Sequence, residues 1–299
     1  MTFSLPSFAK INWTLEVLGR RTDGYHELRT LLQTISLCDE LRFTRLERGI
    51  EITCNAPDVP CDETNLVYRA AALLNAVTGL NRGVRIEITK RIPAAGGLGG
   101  GSSNAAVTLI ALQRLWDVAL APRDLFALGA KLGADVPCFF LGGTCLGIGR
   151  GDEVYPLADI KAEHLLLINA GISVPTREVY ADLPPELTNP QPAAMMPFAL
   201  EAAYRSVSLQ SGPPTQLSND LERPVLARYP LLSEIKQRLT QAGACATLMS
   251  GSGSTIFGIF DSATTRDDAH KNLSQTGWWC AEARTLSRAE YRAALDFGF

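Results

Sequence analysis

PAAGGLGGGSSNAA, residues 93–106, decides how this chain is read: five of the six residues from 96 to 101 are glycine, and a helical pattern follows directly. Glycine has no Cβ, so successive backbone N–H groups can turn toward one anion at little steric cost. Ser102, Ser103 and Asn104 add a cap and hydroxyls. Ala105, Leu109, Leu112 and Trp116 then recur at helical spacing, so the loop empties into a helix N-terminus, where the dipole favours an anion. The reading is a phosphate cradle. A flexible linker is the alternative, but linkers join domains, whereas this tract runs from a strand pattern, VRIEIT at 84–89, into a helix.

Two better-known glycine loops do not fit. A P-loop requires Gly-Lys before Ser or Thr, and the chain has no Gly-Lys dipeptide. A dinucleotide fingerprint requires glycines at relative positions one, three and six directly after a strand. Here Gly97, Gly99 and Ser102 fail the third position, and Pro93 interrupts the approach.

The surroundings are those of an ordinary soluble protein. The 299 residues, 46% hydrophobic and 20% charged, suffice for two domains. A net charge of −3 without a basic stripe disfavours nucleic acid or an anionic membrane as a partner, so local groups must handle any phosphate. The seven cysteines, at 38, 54, 61, 138, 145, 245 and 280, are scattered without CxxC spacing, and His26, His164 and His270 make no metal-ligand pattern with them. Reduced thiols are expected. The opening MTFSLPSFAK has neither a basic n-region nor a long apolar run, so a cytoplasmic protein is expected.

Around the cradle, residues 10–18 alternate: Ile11, Trp13, Leu15 and Val17 share one face, and Lys10, Asn12, Thr14 and Glu16 the other. Asp23-Gly24 signals a turn before Tyr25-His26, and a further strand-like run falls near 41–46. Helices are predicted at 65–77, ending at Gly79, and from Pro122 to a stop at Gly133. Beyond Gly133, Asp135 sits at a turn fixed by Pro137. Strand pairs turn at 149–152, and HLLLINAG at 164–171 reads as a buried strand opening a second unit. Residues 175–224 hold nine of the 17 prolines, with helix expected at 197–205. Then come a helix at 231–239, a strand, Gly/Ser turn and strand at 247–260, a helix at 263–273 and a strand near 279. The alternation lacks the rhythm of a doubly wound sheet, so an α+β fold in two domains, 1–158 and 159–299, is expected.

If the cradle, the polar face of the first strand and Asp135 converge, they make the parts of a phosphoryl transferase. Asp135 could take the proton of an acceptor hydroxyl, while Lys10 neutralises charge on the moving group. Taken singly, Asp135 reads equally as a turn carboxylate, Lys10 as a solvated strand lysine and His26 as a surface histidine.

SFAKIN at 7–12, GRRTDGYH at 19–26, the glycine tract, GADVP at 133–137 and SGSGSTIF at 250–257 together resemble the ordered motifs of the GHMP kinase superfamily. The resemblance spans residues 7–257. It implies a ribosomal protein S5 domain 2-like N-terminal domain and a ferredoxin-like C-terminal domain, with Lys10 and Asp135 as the catalytic pair. It implies ATP as phosphoryl donor, its phosphates wrapped by Pro93, Ala94, Ala95, Gly96, Gly97, Leu98, Gly99, Gly100, Gly101, Ser102 and Ser103, and its adenine near Asn65 and Leu66. Mg2+ is implied between the phosphates, with Ser103 as candidate protein ligand. GRRTDGYH with Lys10 and Asn12 resembles the member whose acceptor is a cytidine-diphosphate ester of methylerythritol, phosphorylated on its 2-hydroxyl in non-mevalonate isoprenoid synthesis. There Asn12, Tyr25, His26, Thr176 and Tyr180 hold the acceptor, with aromatic faces on the cytosine. Partners are small molecules, and the chain is expected as a monomer or homodimer. Departures from the pattern are Ser7-Phe8, Trp13 and Ser254. Two alternatives remain: a GHMP kinase for another small alcohol of the homoserine or mevalonate type, and a nucleotide-binding sensor without turnover.

Overall fold

The computed structural model describes residues 1–188 and 217–296, so the helix expected at 197–205 lies outside the described residues. Two long strands organise the first unit, β1 (Thr2–Arg20) and β2 (His26–Leu46), paired antiparallel along almost their whole length. The register slips at Phe8/Lys10, Asn12/Thr14 and Val17/Gly19. Such bulges bend and twist a ribbon, letting one strand serve several cores.

β3 (Ile50–Cys54), β4 (Gly83–Thr89) and the hairpin β5 (Thr144–Gly149) and β6 (Glu153–Pro156) complete this sheet, joined later by β8 (Ser218–Asn219). Among the described residues the path is β3-β4-β2-β1-β8, with β5 on β2 and β6 on β5. β4 takes Glu40 to Leu46 of β2 and β5 takes Leu28 to Gln33. β1 and β8 run parallel.

One face of the sheet is covered by α1 (Leu66–Thr78), α2 (Gly100–Trp116), α3 (Pro122–Leu132) and the short α4 (Cys138–Leu141). α1 starts where the Asn65 side chain accepts the Val67 N–H at 2.8 Å and stops at Gly79 with φ +69°. Pro122 opens α3 and Gly133 follows it. α2 is buried on nearly all sides, which its small Ala105, Ala106 and Ala111 permit.

The second sheet, β11-β7-β10-β9, is antiparallel throughout: β7 (Leu165–Asn169), β9 (Ala246–Met249), β10 (Ile256–Ile259) and β11 (Trp279–Ala283). With it are α5 (Thr176–Ala181), α6 (Pro185–Thr188), α7 (Glu222–Arg228), α8 (Pro230–Gln241) and α9 (Ala263–Ser274), and α10 (Arg288–Leu295) follows β11. Ile11 and Trp13 of β1 meet Leu165, Leu167 and Phe257 between the sheets, Trp13 standing edge-on to Phe257 at 5.8 Å. Leu15 and Val17 continue into the second core beside Ile168, Ile235 and Ile256. The apolar face read from alternation therefore joins the two units.

α10 then crosses back. Tyr291 and Leu295 are buried in the first unit's core, and the Tyr291 hydroxyl donates to the Phe139 carbonyl at 2.6 Å. α10 and β8, both later in the chain than residue 158, thus belong spatially with the first unit.

Candidate active site

Lys10 and Asn12 are polar residues buried inside a strand, 3% and 2% exposed. A buried ammonium requires acceptors. Lys10 Nζ donates to Asn12 Oδ1 at 2.8 Å and lies 3.4 Å from Asp135 Oδ2. Asp135 is more open, with its side chain 38% exposed, at the turn between α3 and α4. The two residues read as a catalytic pair, 125 positions apart in sequence, are in contact.

The glycine loop lies against Lys10. The Lys10 backbone N–H donates to Leu98 O at 2.9 Å, and a Cβ on Gly99 would stand 3.0 Å from Lys10 Cγ. The loop is equally fastened to the second unit: Ser250 Oγ donates to Gly97 O and the Thr255 N–H to Gly96 O. Gly97 has φ +75°, and a Cβ there would fall 2.1 Å from Ser250 O. Asn219 of β8 holds the facing Gly/Ser turn by donating to Met249 O and Gly251 O. α2 begins at Gly100 with no acidic side chain in its first turn, so its positive end is open to an anion.

The glycine loop's stem is set by two residues the sequence did not single out. Fully buried Asp39 accepts the N–H groups of Arg91 and Ile92 at 2.7 and 2.8 Å and pairs with Lys90 Nζ at 2.8 Å. An acid in the apolar LCDEL of 37–41 was the available signal.

These groups border a cavity of about 1260 Å³, beyond the roughly 300–1,000 Å³ of a pocket for one small ligand. Its lining includes Lys10, Asn12, Asp135, Ala95, Gly97, Gly99 and Ser102, and further along Tyr25, His26, Thr176 and Tyr180. Other expected residues stand back. The Ser103 hydroxyl is fully buried and accepts from Ser7 Oγ at 2.7 Å, so Ser102 is the loop hydroxyl at the cavity. Asn65 is engaged as the cap of α1 and by Pro60 O, and neither it nor Leu66 borders this cavity.

At the aromatic end, His26 and Tyr180 stack with centroids 4.9 Å apart and planes at 22°. Burial, then the charge of Arg20, holds the His26 imidazole below its usual range. Burial, then the Asp135 carboxylate, pushes the Tyr180 phenol well above its own. Both rings are therefore neutral at neutral pH. Tyr25 is exposed, with the Arg150 guanidinium 5.2 Å over its ring. Arg150, Arg20 and Arg177 also line the cavity and add positive charge; of the three, Arg20 lies in the GRRTDGYH motif. Thr176 Oγ1 contacts Ser252 Oγ at 2.8 Å, tying α5 to the Gly/Ser turn.

Among the described residues no group of three or more His, Cys, Asp or Glu side chains is placed to hold a metal ion, and no helix is long and apolar enough to cross a membrane. All seven cysteines are free.

Comparison with known proteins agrees with this geometry. Residues 65–143 match the GHMP kinases N terminal domain and residues 208–277 the GHMP kinases C terminal family. The chain is 41% identical over 280 residues to 4-diphosphocytidyl-2-C-methyl-D-erythritol kinase of Citrifermentans bemidjiense, covering 93% of this chain and 97% of that protein. A crystal structure of 4-(cytidine 5'-diphospho)-2C-methyl-D-erythritol kinase superposes with a TM-score of 0.77 at 36% identity, covering 95% of this chain and 99% of that one. A homoserine kinase from Cytophaga hutchinsonii shares the fold at a TM-score of 0.64 and 19% identity, with 95% of each chain covered. The chain is a GHMP kinase and belongs to the 4-diphosphocytidyl-2-C-methyl-D-erythritol kinase family.

Proposed function

We propose that the chain transfers the γ-phosphoryl group of ATP to the 2-hydroxyl of 4-diphosphocytidyl-2-C-methyl-D-erythritol, the reaction for which its relatives are named. The observation that carries the assignment to residues is the Lys10–Asp135 contact on a cavity that has an anion cradle on one side and aromatic rings on the other.

The chemistry follows from the placement. Backbone N–H groups of the glycine loop and the positive end of α2 hold the donor phosphates. Asp135 accepts the proton of the acceptor hydroxyl as its oxygen attacks, and Lys10 neutralises charge on the transferring group. Gly251 covers Lys10 and Asn12 closely: a Cβ there would stand 3.3 Å from Lys10 Nζ and 3.5 Å from Asn12 Oδ1. Magnesium, when bound, supplies charge neutralisation of the phosphates. Ser102 is the loop hydroxyl on the cavity that would hold it, with the nucleotide and water supplying the remaining ligands.

The cytosine is recognised at the other end, against Tyr25, with the neutral imidazole of His26 reading a base edge. A base entering between His26 and Tyr180 must widen their 4.9 Å spacing to roughly 7 Å, two van der Waals layers. Thr176 would reach the polyol end. A homoserine or mevalonate acceptor has no use for these rings, which is why the cytidyl compound is favoured.

ADP release with Mg·ATP and, in parallel, the cytidyl compound, homoserine and mevalonate tests the proposal. Turnover with the cytidyl compound alone is expected. Turnover with another alcohol would discard the cytosine pocket, and ATP binding without turnover on any of the three would make the chain a sensor.

A further inference from the structure

Lys10 is held by a chain of hydrogen bonds that passes through the neighbouring strand β2 and returns to β1. Its Nζ donates to Asn12 Oδ1, Asn12 Nδ2 donates to Thr30 Oγ1 at 2.7 Å, and Thr30 Oγ1 donates to the Thr14 carbonyl at 2.6 Å. Lys10, Asn12 and Thr30 are all at least 96% buried. The chain crosses from β1 to β2 where the register slips between Asn12 and Thr14, and there the Thr14 carbonyl receives a side-chain hydroxyl.

Counting protons gives this chain a direction. An ammonium only donates, so the Asn12 atom facing Lys10 must be the carbonyl oxygen. That turns the two donors of the Asn12 amide toward Thr30. A hydroxyl has one proton, and Thr30 commits it to Thr14 O, leaving its lone pairs for Asn12. Each end thus enforces the same amide orientation. With one N–H on Asn12 and one toward Asp135, Lys10 keeps a third for the cavity it borders.

We infer that Thr30 is a positioning residue for phosphoryl transfer: its hydroxyl locks the Asn12 amide, which in turn aims Lys10 at the reacting phosphoryl group. The inference rests on the catalytic reading of Lys10 given above. Without the hydroxyl, Asn12 Nδ2 loses a buried acceptor, and rotation of the amide turns donors toward the ammonium. The ground-state contacts of ATP with the glycine loop are untouched, so the loss belongs to the transition state.

The test is steady-state kinetics of Thr30→Val, Thr30→Ala and Thr30→Ser, with Lys10→Met as control and Asn12→Ala for a double-mutant cycle. Thr30→Val and Thr30→Ala are expected to lower kcat roughly tenfold, the effect of about one buried hydrogen bond, with KM for ATP held within about twofold. Thr30→Ser should recover kcat to within about twofold, which a purely packing role of the methyl group would not allow. Adding Thr30→Val to Asn12→Ala should produce no further loss. Undiminished kcat in Thr30→Val, failure of Ser to rescue, or losses that multiply in the double variant would overturn the inference. If Thr30→Val does not fold, the Ala and Ser variants decide. Full activity in Lys10→Met would instead overturn the catalytic reading beneath it.

Discussion

The proposed reaction gives Asp135 and Lys10 separable tasks, and substitution can tell them apart. Asn at 135 keeps the shape of the side chain and loses the proton acceptor. We expect Asp135→Asn to retain ATP binding by titration while kcat falls on the order of 10²–10⁴-fold, the worth of a positioned base; activity near that of the unmutated protein would remove Asp135 from that role. At the far end of the cavity, Tyr25→Ala should raise KM for the cytidyl substrate well beyond any change in KM for ATP, because the ring borders only the aromatic end. Equal effects on both constants would undo the cytosine assignment. His26 adds a pH dependence. Burial and Arg20 disfavour its protonated form in the folded chain, so the unfolded chain takes up that proton at higher pH. The stability gained from neutral His26 is present above the usual imidazole range and is lost as pH falls through the depressed value. KM for the cytidyl substrate should likewise stay flat through neutral pH and rise only below the usual imidazole range. A His26→Gln variant, which cannot titrate there, should show no such limb.

Among the elements, the glycine loop is where sequence and close packing meet most tightly, and its glycines are not equivalent. Gly97→Ala places a methyl group 2.1 Å from Ser250 O in a left-handed backbone, so it should lower stability by about 1–3 kcal/mol and raise KM for ATP. Gly101, inside the first turn of α2, has only Leu66 Cδ1 near its hypothetical Cβ, at 3.7 Å. There Ala should be tolerated or add about 0.5–1 kcal/mol, read by thermal unfolding of the two variants side by side. The loop, α1 and α3 were legible in the sequence because their signals are local: an Asn65 cap, a Gly79 stop, Pro122 at a first turn. The lengths of β1 and β2, 19 and 21 residues, were not, since Lys10 and Asn12 look like solvent-facing positions until the glycine loop and the Gly/Ser turn at Gly251 cover them. Asp39 and Lys90, 51 positions apart, and Arg150 over Tyr25 are long-range pairings that no local pattern encodes.

Across the whole molecule, the cavity lies where the apolar face of β1 packs the first sheet against the second and where β8 and α10 return to the first unit. α10 bears directly on the segment that follows Asp135. Tyr291 packs so close to Gly142 that a Cβ on that glycine would lie 2.2 Å from its ring, and its hydroxyl satisfies the Phe139 carbonyl. Tyr291→Phe should reduce the unfolding free energy by about 1–3 kcal/mol in denaturant titration, the usual effect of leaving a buried carbonyl unpaired. The return also orders events in time. Phe139 and Tyr291 are 152 positions apart, so at the roughly 5–20 residues per second of synthesis the turn after Asp135 waits about eight to thirty seconds for its brace. A nascent chain stalled before residue 288 would carry the glycine loop, Lys10 and Asp135, yet lack the helix that fastens the turn after Asp135; on the proposed reading, competence to turn over waits until α10 has been made.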